Sequence, residues 1–153
     1  MNRIFFYLFF LFSANFFIFS VKADVIVHNE LSFGTIAVRG NDVVSSVVVP
    51  RVGAPYTTNK ILMIEKGHPG EYTITGFLPS TPVQLTTNLP TFLGLAGVSA
   101  QFFITSADLP VNTSANAQGE VYLKVGAILQ TSGNSQSYED GVYVGTFDIQ
   151  INF

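Results

Sequence analysis

The chain holds two histidines, His28 and His68, and no cysteine. A thiol nucleophile is therefore impossible, and a site built from histidine and cysteine is excluded. A serine triad would need one of these histidines beside a serine and a carboxylate, and no Gly-x-Ser-x-Gly elbow is present. His28 falls on the parity opposite to Val25 and Val27, so it is expected on the solvated face of a strand. His68 lies in Lys66-Gly67-His68-Pro69-Gly70, which reads as a turn. Glu139 and Asp140, near Ser135 and Ser137, offer the oxygens that a calcium ion takes. Two carboxylates without the Asp-x-Asp-x-Asp-Gly spacing read as a solvated loop instead. Asn112-Thr113-Ser114 is a glycosylation sequon, a short and frequent pattern. No glycine-rich phosphate loop follows a strand and opens a helix. The expectation is a non-catalytic protein with no cofactor-binding or metal-ligating residues.

The elements that would carry these residues follow a period of two. From Tyr143 the odd positions hold Tyr143, Gly145, Phe147, Ile149, Ile151 and Phe153, with Thr146, Asp148, Gln150 and Asn152 between them. A strand turns successive side chains to opposite faces, so this segment has an apolar face that needs a second layer. The stretch after Asp24 places Val25, Val27, Leu31 and Phe33 on odd positions, then Ile36 and Val38 on even ones. A bulge or a change of sheet at Gly34 accounts for the slip. Gly40-Asn41-Asp42 reads as a turn into the β-branched run Val43 to Val49, stopped by Pro50. Ile61 to Ile64, Tyr72 to Thr75 and Val83 to Thr86 read as short strands. Val98 to Ile104 and Val121 to Leu129 read as longer ones. Ser106 to Gly119 reads as a surface crossing between sheets.

Seven to nine such strands with turn signals between them close as a sandwich or a barrel. A small outer-membrane barrel is the alternative suggested by the C-terminal Phe153, but Val43 to Val49 and Ile61 to Ile64 are too apolar on both parities for a wet lumen. The two longest terminal strands, Gly119 to Leu129 and Tyr143 to Phe153, are expected to pair as an antiparallel hairpin around Gly133 to Asp140. Both would send odd-numbered residues into one core.

Composition agrees with a packed domain. Of 153 residues, 48% are hydrophobic and only 11% charged, which excludes a chain that cannot bury enough surface to order itself. The formal charge is -3 and no basic cluster appears, so neither nucleic acid nor an anionic membrane surface has a footprint here. Residues 1–23 read as a secretory signal: Arg3 gives a positive start, Ile4 to Phe12 and Phe16 to Phe19 the apolar run, and Val21-Lys22-Ala23 the cleavage site. Residues 24–153 are then one exported domain that is not stapled by disulfides and must hold by core burial. The expected location is the periplasm, the cell surface or the extracellular space.

Four segments carry a resemblance. LSFGTIAV, HPGEYTITG, VYLKVGAILQT and DGVYVGTFDIQINF, in that order between Leu31 and Phe153, resemble an uncharacterised bacterial exported family, domain of unknown function 4402. That family is similar to the spore-coat-U-type and fimbrial subunits of chaperone-usher systems. The resemblance implies an immunoglobulin-like antiparallel β-sandwich and a structural or adhesive role at the cell surface, as a pilin-like subunit. The implied partners are other fimbrial subunits or copies of this chain, joined by strand pairing through the only candidate donor, Asp24 to Phe33. The chain departs from fimbrial subunits in lacking a cysteine pair and a penultimate tyrosine. A free-standing periplasmic or secreted binding module is the alternative, and it would need some of Tyr56, Tyr122, Tyr138 and Tyr143 to converge. Intact-mass measurement on exported material is expected to show a chain that begins at Asp24; a mass that retains residues 1–23 overturns the signal assignment.

Overall fold

The computed structural model describes residues 23–95 and 102–153, and the expected export segment lies, but for Ala23, outside them. The strands are β1 Asp24–Asn29, β2 Ser32–Val38, β3 Ser46–Val49, β4 Tyr56–Thr57, β5 Ile61–His68 and β6 Gly70–Thr75. They continue as β7 Pro82–Thr87, β8 Thr91–Leu93, β9 Phe102–Asp108, β10 Asn112–Ser114, β11 Val121–Gln130 and β12 Ile149–Asn152. All pairings are antiparallel. One layer is a seven-stranded sheet in the order β1-β6-β11-β3-β4, with β9 on β11 and β8 on β9. The other layer consists of β2-β5 and β10-β7-β12. The chain is therefore an all-β, antiparallel sandwich. Among the described residues the larger sheet ends at β1, β4 and β8 rather than closing on itself as a barrel does. The strand count exceeds seven to nine because β4, β8 and β10 are pieces of only two or three residues.

Alternation explains the facing. Val121, Leu123, Val125, Ala127 and Leu129 of β11 are all buried, whereas Tyr122 is exposed and Lys124 half-buried. The first three join Ile74, Phe77, Val83, Leu85 and Ala115 in one cluster, against which Phe147, Ile149 and Ile151 pack. Ala127 and Leu129 join Val47, Val49, Ile61, Leu93, Phe102 and Ile104 in a second cluster, with Leu31, Phe33, Ile36 and Val38 packed against it.

The expected hairpin between β11 and the C-terminal segment does not form. β11 pairs with β6, β3 and β9, while β12 pairs with β7 in the opposite layer. Both do supply odd residues to the core, but across the sandwich rather than side by side. Alternation reports which face is buried and says nothing about which neighbour lies alongside. Only Ile149 to Asn152 of the expected last strand is laddered; before it, Val144 makes an isolated bridge to Gly94, and Tyr143 and Phe147 still face inward.

Other boundaries shift for similar reasons. Val43 and Val44 are exposed and precede β3, because Ser45 is fully buried, its amide bound by Thr131 Oγ1 and its hydroxyl accepting from the Lys60 amide. His68 ends β5 instead of occupying a turn, and Pro69 alone separates β5 from β6, so the chain changes layers there. The slip after Gly34 accompanies a bulge on the partner strand: Gly34 has φ 79°, and between Thr35 and Ile36 the partner on β5 jumps from Glu65 to Met63, leaving Ile64 as the extra residue. A Cβ on Gly34 would collide with the Glu65 carbonyl and one on Gly67 with the Ser32 carbonyl, so these glycines allow β2 and β5 to approach. Ser106 to Gly119 crosses the surface as expected and contributes β10 on the way.

Leu85 is among the largest fully buried side chains. Leu85→Ala is expected to lower unfolding free energy by about 2–5 kcal/mol, since it removes the buried methyls and leaves a cavity. Its exposed neighbour Gln84→Ala should stay within about 0.5 kcal/mol, and chemical denaturation of the two variants checks the assigned facing.

Candidate functional site

Among the described residues β2 is paired along one edge alone. β2 bonds to β5 along one edge, and its other edge faces the segment 138–147 across a groove of about 1060 Å³. The floor is core: Leu93, Phe102, Ile104 and Leu129 line it. Leu31, Phe33, Ile36 and Val38 form one wall, and Tyr138, Tyr143 and Phe147 the other. The two walls run in opposite directions. Val38 and Tyr138 meet at one end around a smaller cavity, whereas Leu31, whose backbone bonds to Tyr72, lies with Phe147 at the other, Tyr72 and Phe147 sharing one core cluster. An open strand edge above an apolar floor is a template for an added strand, with backbone groups for affinity and slots for alternate side chains.

Aromatic packing builds the far wall. Tyr138 stacks on Phe102 at 4.3 Å between ring centres, and Tyr143 meets the same ring edge-on at 4.9 Å. The Tyr143 hydroxyl donates to the Glu139 carbonyl, and desolvation raises its pKa. Burial likewise raises that of Tyr72. Of the four tyrosines some of which a binding module would need to converge, Tyr138 and Tyr143 do; Tyr56 lies on β4, and Tyr122 on the outer face of β11.

Asn41 is the residue that sequence reasoning read as an ordinary turn and that the fold makes central. It is 6% exposed. Its Nδ2 lies 2.9 Å from each of three acceptors, Ser132 Oγ, Asn134 Oδ1 and the Gln136 carbonyl, which share its two hydrogens, and its Oδ1 accepts from the Gly133 amide at 2.8 Å. The Ser135 amide donates to the Asn41 carbonyl, and the Ser132 amide to the Tyr138 hydroxyl. The loop after β2 is thus fastened to the loop after β11. The only hint in the sequence was a Ser-Gly-Asn-Ser loop able to receive a buried amide.

β1 is the other unusual element. It pairs with β6 in the register Val25↔Ile74 and Val27↔Tyr72, which points both valines toward the core side. Yet every residue of β1 is exposed, with Val25 at 51%, Ile26 at 47% and Val27 at 54%. Its side-chain ties are polar and lie on the outer face: His28 Nε2 with Thr73 Oγ1 at 2.8 Å, and Asn29 Nδ2 donating to Glu71 Oε2 at 3.4 Å. His28 is therefore on the solvated face, as its parity indicated. Lys124 Nζ lies 2.9 Å from the other oxygen of Glu71.

Among the described residues no three of His, Cys, Asp and Glu gather into a metal-binding group, and the oxygens of Glu139 and Asp140 only rim the groove. The family model described as Domain of unknown function (DUF4402) matches residues 24–153. No curated protein and no solved structure matches the chain.

The Lys124 ammonium, ahead of the Tyr122 hydroxyl, lowers the pKa of Glu71 from the ordinary 4.5. A depressed carboxyl pKa stabilises the fold above the unfolded value, and that contribution is lost as pH falls through the folded one. Glu71→Gln is expected to flatten the dependence of stability on pH below about 4.5, which urea denaturation over a pH series checks.

Proposed function

Because the chain belongs to the DUF4402 family from Asp24 to Phe153, we propose that it is an exported, non-catalytic surface subunit, structural or adhesive, completed by an added strand. The observation that carries this reading is the groove between β2 and 138–147, a slot with an apolar floor and a mixed rim beside a strand edge that is unpaired among the described residues. In the monomer the floor residues are buried, but the wall residues Leu31, Phe33, Ile36, Val38, Tyr143 and Phe147 are only half-buried, and filling the slot with alternate apolar side chains removes that remaining exposure.

The occupant is β1 of a second copy. β1 has apolar residues two apart that bury little where they stand. Its own groove is out of reach, because only Glu30 and Leu31 separate it from β2. Two-residue hairpin turns require positive φ, which glycine or asparagine accepts and glutamate and leucine resist. The resemblance to fimbrial and spore-coat-U-type subunits, with their immunoglobulin-like sandwich, supports the same role. The absence of cysteine sets this chain apart from them, so its assembly does not depend on an oxidised pair.

One observation favours a free-standing binding module instead: β1 pairs with β6 of its own chain. Concentration decides between the two. The 24–153 chain is expected to form ladders of oligomers in size-exclusion chromatography with light scattering. Val25→Asp combined with Val27→Asp should weaken association by more than about 100-fold, since each lost burial is worth about 1.5–3 kcal/mol. A deletion of Asp24 to Glu30 should accept a synthetic peptide of those residues. A chain that stays monomeric at high concentration, with its N-terminal amides protected from hydrogen exchange, overturns the subunit reading in favour of the module.

A further inference from the structure

We infer that the groove is a slot closed at one end, and that it accepts only a β1 whose chain starts at or next to Asp24. The inference rests on the strand-acceptor reading above and on residues 1–23 being an export signal.

The closed end is at Val38. Asn41, three residues beyond, holds Ser132, Gly133, Asn134 and Gln136, and so ties the wall formed by β2 to the wall that begins at Tyr138. Tyr138 is itself fixed by the Ser132 amide and by its stack on Phe102. The space left there, between Val38–Asn41 and Ser135–Tyr138, is about 190 Å³ and open to solvent on one side, so what bars a passing strand is the Asn41-bound loops and not the size of the cavity. The opposite end differs. Among the described residues no hydrogen bond joins Glu30–Phe33 to Thr146–Ile149.

Direction follows from bulk. The C-terminal end of a donated β1 continues through Glu30 and Leu31 into β2 and the body of its own copy. A folded domain does not fit against a closed end, so the donor's body sits at the open end and its N-terminus points at Asn41. β2 runs from the open end to the closed one, so the donated strand is antiparallel to it, the more stable of the two pairings. Length agrees: at about 3.4 Å per residue the six residues of β1 span about 20 Å, and the seven of β2 about 24 Å. Asp24 then comes within about one residue of the Val38 end, and any residue before it meets the Asn41-bound loops. A chain still carrying residues 1–23 is able to accept a strand but not to give one. Asn41 is in this sense a positioning residue, and it makes removal of the N-terminal segment a condition for donation.

Fluorescence anisotropy with three labelled peptides, titrated with the 24–153 chain at low concentration, tests this. One peptide is Asp24 to Phe33; the second carries Gly-Ser-Gly-Ser before Asp24, and the third carries it after Phe33. The N-terminal extension is expected to weaken binding at least tenfold and the C-terminal one less than twofold. Asn41→Ala should restore the N-terminally extended peptide to within about threefold of the parent by opening the end, a length discrimination that a general loss of stability does not produce. If Asn41→Ala does not fold, Asn134→Ala removes one acceptor of the same clasp and should shift the ratio in the same direction. Equal tolerance at both ends, or a greater cost at the C-terminus, overturns the one-ended slot and leaves the acceptor reading standing. Failure of the parent peptide to bind overturns both.

Discussion

The sandwich depends on the continuous burial of one face of β11. This ten-residue strand sends Val121, Leu123 and Val125 into one core cluster and Ala127 and Leu129 into the other, and it pairs with β6, β3 and β9. With no disulfide to close the chain, that shared strand couples the two clusters. Each buried aliphatic side chain contributes about 1.5–3 kcal/mol, against a domain stability of only about 5–15. Gly126, in the middle of β11, adds a local requirement: a Cβ there would run into the Val49 carbonyl and the Arg51 amide, so the closeness of β3 to β11 depends on its absence.

The sequence disclosed the class of the fold and most of its facing. Apolar residues at alternate positions identified the buried sides of β11, β7 and the C-terminal segment, and the parity change after Gly34 fell next to the register break between β2 and β5. Pairing was harder to read, because two strands with the same alternation are equally able to lie beside each other or to face each other across a core. That is why β11 and β12 were expected as a hairpin and stand in opposite layers. Val25 and Val27 show the converse limit. Their spacing marks a core-facing side, and the fold provides no layer to cover it.

The groove was legible only in part. The segment proposed as donor had the right spacing in the sequence, but the groove arises from the lack of a second partner beside β2, which leaves no pattern to detect. Asn41 was hidden for a related reason. A turn asparagine and a buried asparagine look alike in one dimension, and only the convergence of Ser132, Gly133, Asn134 and Gln136 tells them apart. The outer face of β6 and β11, by contrast, followed the ordinary rule for a solvated sheet, with Glu71, Thr73, Tyr122 and Lys124 in cross-strand contact.

The polar attachment of β1 has a mechanical consequence. A strand at a sheet edge, held by backbone ladders and a few exposed side-chain bonds, peels away one rung at a time when force is applied across it. The same strand seated between two walls over an apolar floor would have to break many rungs together if pulled along its length. A donated first strand would therefore exchange a compliant attachment in its own copy for a stiff one in its neighbour, and a chain of such units would give at the joints last.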